Sequence, residues 1–279
     1  MNIIEKEIEL DKLRDGSIEE IPRQLGYHEL PFTYEPYEPS NAPVTKVIHF
    51  IWIGNPISDK YVNTIVNSKR INPTYNIILW VDNTSITKQA AHFLLENEIE
   101  IKNIYQELAL QEHEIKHKIL SFIKVNGNYG FKADILRLYI VYMYGGIYSD
   151  IDSIWVKPLD DNFLSDFVTY RIDKQCSNLT NSFFGFSPKS SIIKNAIMNL
   201  EQSIICFLRA RNDYLFKTYI PVITGPNHLT RIIRESNPSG LNYIHQAYCV
   251  IGGPHEEIYS NYSKEGKIYC YQTFDKNWC

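Results

Sequence analysis

Residues 144–153 read Tyr-Gly-Gly-Ile-Tyr-Ser-Asp-Ile-Asp-Ser, YGGIYSDIDS. Ahead of them, FKADILRLYIVYMY (131–144) has the apolar spacing of a helix, and the glycine pair supplies its stop. IYSDIDSIWV (147–156) follows at once and reads as a strand. Alternate side chains of a strand share a face. Tyr148, Asp150 and Asp152 are therefore expected on one face, with Ile147 and Ile151 on the other. Two carboxylates roughly 7 Å apart along a strand repel each other unless something positive lies between them. On the preceding helix Asp134 and Arg137 are three apart and share a face. Ile135, Leu138, Tyr139 and Tyr142 form the apolar stripe on its other side. A tight glycine corner brings Asp134 and Arg137 towards Asp150 and Asp152.

A divalent cation removes the repulsion of the pair and gains from both charges. All-oxygen ligands favour Mg²⁺ or Mn²⁺ over zinc and leave most of the coordination sphere open, which a diphosphate would fill. An isolated D-x-D is more often two aspartates in a turn beside an unrelated intrahelical salt bridge, so the surrounding sequence decides.

Upstream, KVIHFIWIG (46–54) and NIILWV (76–81) are buried-strand patterns. Between them Ser58 is placed to cap a helix carrying Tyr61, Val62, Ile65 and Val66 on one face, and Asn72-Pro73 ends it. A helix is expected over about 86–97, a short strand over 99–104 and one helix over 105–124. Strand and helix alternating in this way specify an α/β fold with a parallel sheet covered by helices. Residues 1–45 differ: an acidic helix over Ile3 to Leu13, then ELPFTYEPYEPSNAP (29–43), a proline-rich connector expected to lie extended on a surface.

The 279 residues are 44% hydrophobic, enough for a sizeable core. With 28 Lys and Arg against 32 Asp and Glu, the net charge of −4 gives no reason to expect nucleic acid. The charged stretch MNIIEKEIELDKLRD lacks the apolar core of a secretory signal, and no run approaches the ~18 apolar residues of a membrane span. Five cysteines without short regular spacing point to free thiols rather than a disulfide framework or a CxxC zinc site. Without a leader, the N-x-S/T triplets at Asn83, Asn178 and Asn261 read as chance matches.

Taken in order, IHFIWIG (48–54), NPTYNIILWVD (72–82) and FKADILRLYIVYMYGGIYSDIDSIWVKPL (131–159) resemble the DXD-containing sugar transferases. This group includes the glucosyltransferase domains of large clostridial toxins and fungal-type initiating mannosyltransferases. The similarity runs over 46–159 and is weaker over NLTNSFFGFS (178–187), ITGPNHLT (223–230) and the terminal Asn277-Trp278. It implies a GT-A fold over 46–279, a nucleotide-binding αβα sandwich with a mostly parallel sheet and added helices. Residues 1–45 would stand apart as an N-terminal helix and connector. It also implies a UDP-sugar donor, glucose or N-acetylglucosamine, and Mn²⁺ or Mg²⁺. By the same resemblance Trp52, with Ile51 beside it, stacks on the base. Asp134 and Arg137 hold donor-sugar hydroxyls, Tyr148 meets the ribose, and Asp150 bridges the ribose and the metal. Asp152 binds the metal directly, and Asn181, with Ser182, lines the sugar pocket. Asn277 completes the metal coordination, and Trp278 supports the leaving phosphate. Anomeric configuration is retained, by front-face attack in the absence of a clear nucleophile.

A competing motif is His113-Glu114-Ile115-Lys116-His117, an H-E-x-x-H zinc-protease pattern. Lys116 and Lys118 crowd that face with positive charge, and no third ligand follows, so it reads as a polar helix surface. A fold-retaining binding module that has lost catalysis conflicts with intact Asp134, Arg137, Asp150 and Asp152. Toxin-like relatives imply a monomeric bacterial effector made in the cytoplasm, delivered into host cells and acting on a protein acceptor, with peripheral membrane contact open. A cytoplasmic transferase of surface-polysaccharide synthesis is the other reading of the same motifs.

Overall fold

In the computed structural model, which describes residues 32–40, 42–110, 114–172, 177–209, 220–245, 249–251 and 268–273, the glycine corner organises the centre of the molecule. Helix α5 (Tyr129–Tyr144) ends on Gly145, whose amide donates to the Val141 carbonyl at 2.9 Å. Gly145 (φ +63°) and Gly146 (φ +90°) take backbone angles that L side chains avoid. A Cβ on Gly146 would stand 2.8 Å from the Val47 carbonyl oxygen. The corner thus lets β4 (Gly146–Ser149) enter the sheet beside β1 (Val47–Trp52) directly out of the helix. His49 pins the same corner: its Nε2 lies 2.9 Å from the Gly145 carbonyl oxygen, and its Nδ1 accepts from Trp80 Nε1 at 3.1 Å.

After β1 come α1 (Asp59–Ile71), β2 (Asn76–Val81), α2 (Lys88–Glu96), β3 (Ile99–Asn103), α3 (Ile104–Leu110) and α4 (Glu114–Phe122). Following β4 are β5 (Ser153–Trp155), β6 (Phe167–Ile172), β7 (Ser177–Phe186), α6 (Ser191–Arg209), α7 (Pro226–Ser236), β8 (Asn242–His245), β9 (Cys249–Ile251) and β10 (Cys270–Gln272). One sheet has the order β3-β2-β1-β4-β7-β6-β8. In it β3, β2, β1 and β4 run parallel, and β7 is antiparallel to both neighbours. A smaller sheet, β5-β10-β9, adjoins it.

Both faces of the large sheet are apolar, which is why its strands read as continuous hydrophobic runs. Ile78, Trp80, Tyr148, Phe184 and Phe186 pack with helices α3 to α7. Their strand neighbours Ile77, Leu79, Ile147 and Phe183 pack with Tyr61, Val62 and Ile65 of α1 and with Trp155. Helix α5 is buried all round, Asp134 and Arg137 included, rather than on the one stripe that its spacing predicts. The helix expected over 105–124 is described as two, α3 and α4. Asn103 starts the first by accepting from the amides of Tyr105 and Gln106. The strand expected over 147–156 breaks after Ser149, because the Asp150 carbonyl accepts from the Ser153 amide at 3.1 Å and closes a turn.

The proline-rich connector is held, over residues 33–35, by two buried asparagines one helical turn apart on α6. Asn199 accepts from the Thr33 amide and donates to its carbonyl, at 3.0 and 2.8 Å. Asn195 does the same for Glu35, at 2.9 and 2.8 Å. The Arg231 guanidinium of α7 lies 3.7 Å from the centre of the Phe32 ring. No helix among the described residues is long and apolar enough to cross a membrane.

Burial lowers the pKa of His49 to about 4, and that of His228, another fully buried ring, equally. Between pH 4 and 6.5 the unfolded chain then binds more protons than the folded one, so stability is full above pH 6.5 and falls as pH drops towards 4. A gap of that size is worth about 3 kcal/mol for each ring. His49→Gln is expected to be less stable than the parent at pH 7, yet to lose less of its stability over that window. Thermal unfolding from pH 7 to 4 measures both.

Candidate active site

The strands β1, β2, β3 and β4 all end at one edge of the sheet, and the chain reverses direction of progress between β1 and β4. In open α/β sheets ligands bind outside the carboxyl ends of the strands at such a switch point. Trp52 is the last residue of β1, and Asp150 follows the last residue of β4.

Asp150 to Asp152 form a turn joining the two sheets rather than a length of strand. The Asp150 amide donates to the Ser182 carbonyl at 2.8 Å, anchoring one end to β7. The Asp152 carbonyl accepts from the Thr273 amide at 3.1 Å, anchoring the other beside β10. The two carboxylates still converge, on a residue that the motifs do not single out. Gln272 Nε2 donates to Asp150 Oδ2 and to Asp152 Oδ1, both at 2.9 Å. Its only trace in the sequence is a polar residue closing the apolar run IYCYQ (268–272).

Behind the turn lies a buried guanidinium. Arg137 NH2 is 3.0 Å from Asp134 Oδ1, and NH1 is 3.3 Å from Asp150 Oδ1. NH1 also donates to the Asn181 carbonyl at 2.6 Å and Nε to the Ala133 carbonyl at 3.3 Å. The plane lies 4.5 Å from the centre of the Tyr148 ring. Burial works against this charge, but Tyr148 and the carboxylates of Asp150, Asp134 and Asp152 outweigh it and hold the Arg137 pKa above even the usual arginine range. Asp134 accepts from Asn181 Nδ2 at 2.8 Å and from Thr224 Oγ1 at 3.1 Å. Burial outweighs the pull of Arg137 and pushes Asp134 up to about 6. Pro226 starts α7 directly after Thr224-Gly225. An alanine Cβ at Gly225 would stand 2.7 Å from the Pro221 Cα and 3.2 Å from Asp134 Oδ2, so this close approach requires glycine.

Tyr148 is buried, and its hydroxyl donates to Asp150 Oδ1 at 2.7 Å, so here it serves as a holder of that carboxylate. Ile51 is buried in the core. Trp52 is part-exposed, with its ring centroid 5.0 Å from that of Tyr61 and its Nε1 donating to the Asn55 carbonyl at 2.7 Å. Ser182 is part-buried, and its hydroxyl donates to Thr180 Oγ1 at 3.2 Å. The structure therefore gathers Asp134, Arg137, Tyr148, Asp150, Asp152 and Asn181 into one network. Asn277, Trp278 and His113 lie outside the described residues; His117 is exposed on α4.

The donor set fits a divalent cation. Asp134 and Asp150 contact one guanidinium and Asp152 is joined to Asp150 through Gln272, so three carboxylates share one close positive charge in a partly buried cluster. Oxygen is the only atom type that the aspartate pair offers, which suits Mg²⁺ or Mn²⁺. Arg137→Met would leave those carboxylates uncompensated. It is expected to cost about 3–5 kcal/mol in urea-unfolding free energy, and an unchanged midpoint would contradict this account.

Residues 58–168 match the family described as "Glycosyltransferase sugar-binding region containing DXD motif". "Subversion of eukaryotic traffic protein A" of Legionella pneumophila is 29% identical over 188 residues, covering 65% of this chain and 28% of that protein. "Inositol phosphoceramide mannosyltransferase 3" of Schizosaccharomyces pombe is 24% identical over 172 residues, covering 61% and 40%. The chain thus spans well under half the length of either relative. Among solved structures, "PaToxG Glycosyltransferase" superposes with a TM-score of 0.53 at 24% identity, over 82% of this chain and 80% of that one, which establishes a shared fold. Residues 58–168 thus carry this chain's similarity to the glycosyltransferases with a DXD-containing sugar-binding region.

Proposed function

We propose that the chain moves a hexose, glucose or N-acetylglucosamine, from a UDP-sugar to a protein acceptor, with a divalent cation and with retention at the anomeric carbon. The observation that carries this reading is the convergence of Asp150 and Asp152 at the switch point, backed by the buried Arg137–Asp134 pair. Residues 46–279 would be the catalytic unit and 1–45 an appendage.

In this reading Trp52 offers its part-exposed indole to the uracil. Asp134 and Arg137, fixed by Asn181 and Thr224, orient the donor sugar. Asp150 and Asp152 would hold the cation, which acts as a Lewis acid on the diphosphate leaving group. Anomeric carbon to phosphate-oxygen bond breaks as the acceptor oxygen bonds to that carbon from the same side. The acceptor proton passes to the departing phosphate oxygen. Asp134 positions and does not attack. Asn277 and Trp278 would close over the leaving group.

Similarity to a Legionella protein named for subverting eukaryotic traffic supports a bacterial effector delivered into host cells. The mannosyltransferase relative favours a second reading, transfer to a lipid-borne acceptor. Radiolabelled transfer to host lysate protein or to extracted lipid separates the two.

UDP release from a panel of UDP-sugars, with Mn²⁺ or with chelator, tests the central reading. The native chain is expected to release UDP from one donor only with metal. Asp152→Ala should lose at least 100-fold of that release while unfolding at a similar temperature, and full activity in Asp152→Ala would refute the metal assignment. Trp52→Ala is expected to weaken UDP binding about tenfold, and unfolding without a separable effect on UDP would make Trp52 a core residue. His113→Ala should leave transfer unchanged; an inactive variant would revive the zinc-protease motif.

A further inference from the structure

Among the described residues, Gln272 is a neutral side chain that touches both aspartates of the turn. Its backbone has no freedom to drift. In β10 it pairs with Ser153 of β5 and with Ile251 of β9, and the next amide, that of Thr273, donates to the Asp152 carbonyl. Only its side-chain torsions can change.

The position of Nε2 is informative. It lies 2.9 Å from an oxygen of each carboxylate. Around an octahedral Mg²⁺ or Mn²⁺, with metal–oxygen bonds of about 2.1 Å, neighbouring ligand atoms stand about 2.9–3.0 Å apart. The end of the Gln272 carboxamide is thus at ligand-to-ligand spacing from Asp150 Oδ2 and Asp152 Oδ1, a spacing that coincides with ordinary hydrogen-bond length. With nitrogen there, it donates two N–H groups and partly offsets the repulsion of the carboxylates. A half-turn about the last side-chain torsion puts Oε1 at the same point, and donor becomes acceptor with hardly any change of shape.

We propose that Gln272 is a reversible stand-in for the cation and its third protein ligand. Without metal its amide N–H groups clasp Asp150 and Asp152 together. With metal the carboxamide turns over and presents Oε1. The aspartates are thus kept close in both states, and the ion meets a site already assembled. This rests on the reading of Asp150 and Asp152 as cation ligands.

The test is Mn²⁺ binding without donor, followed by electron paramagnetic resonance of the free ion, together with thermal unfolding in chelator and in Mn²⁺. Native chain, Asp152→Ala, Gln272→Leu and Gln272→Glu are compared. Gln272→Leu is expected to melt lower than the native chain in chelator and to bind Mn²⁺ at least tenfold more weakly. Gln272→Glu, with three carboxylates and no amide clasp, should melt lower still in chelator. It should bind Mn²⁺ at least tenfold more tightly and show the largest Mn²⁺-induced rise in melting temperature. If Gln272→Leu binds Mn²⁺ as tightly as the native chain or more tightly, the side chain is only a plug and the inference is wrong. If Gln272→Glu gains no affinity, Gln272 does not reach the ion and the inference is equally wrong. Should the native chain bind Mn²⁺ no better than Asp152→Ala, the metal reading itself fails and takes this inference with it.

Discussion

A guanidinium that cannot lose its proton sits between two aspartates in the interior of this protein, and much of the surrounding architecture answers to it. Arg137 reaches Asp134 on its own helix and Asp150 beyond the end of β4. A buried charge of this kind is tolerable only when every donor is used and the counter-charges are held rigidly. The Gly145-Gly146 corner brings the helix and the turn within reach of one another. Tyr148 supplies a ring face to the cation and a hydroxyl to Asp150. From the opposite side, Asn181 and Thr224 fix Asp134 through two more elements. Helix α5, strands β4 and β7 and the entry to α7 are thereby tied to one another by charge as well as by packing.

The alternation of buried strands and helices was legible in the sequence because both faces of the sheet are covered. NIILWV, short, rich in isoleucine and bounded by turn residues, reads as a strand with two dry sides. The aspartates and the helical pair were legible for a different reason: charged residues inside apolar runs stand out at any spacing. What spacing could not give was the turn. Period-two alternation through Tyr148, Asp150 and Asp152 looks like strand, yet the Asp150 carbonyl is taken by the Ser153 amide and the chain changes sheets. Local pattern cannot report a hydrogen bond that depends on a second sheet assembled from residues a hundred positions later.

Gln272 was invisible for the same reason. It lies 120 residues from Asp152 in the chain and carries no motif. Nothing in ITGPNHLT says that the Thr224 hydroxyl meets a carboxylate on α5. Trp52 illustrates the converse. An apolar run argues for a core position, but the residue ends its strand at the open edge of the sheet, and position overrides composition.

The asparagine pair on α6 has a consequence for how this chain can change over generations. Asn195 and Asn199 grip only the main-chain groups of residues 33 and 35. Such a grip is blind to side-chain identity, provided that the gripped residues keep their amide hydrogens and so are not proline. Mutations can therefore accumulate at residue 33 without loosening it, while at residue 35 they forgo only the ion pair of Glu35 with Lys194. The lineage gains a place where new addressing or partner-binding segments can be tried on a settled scaffold.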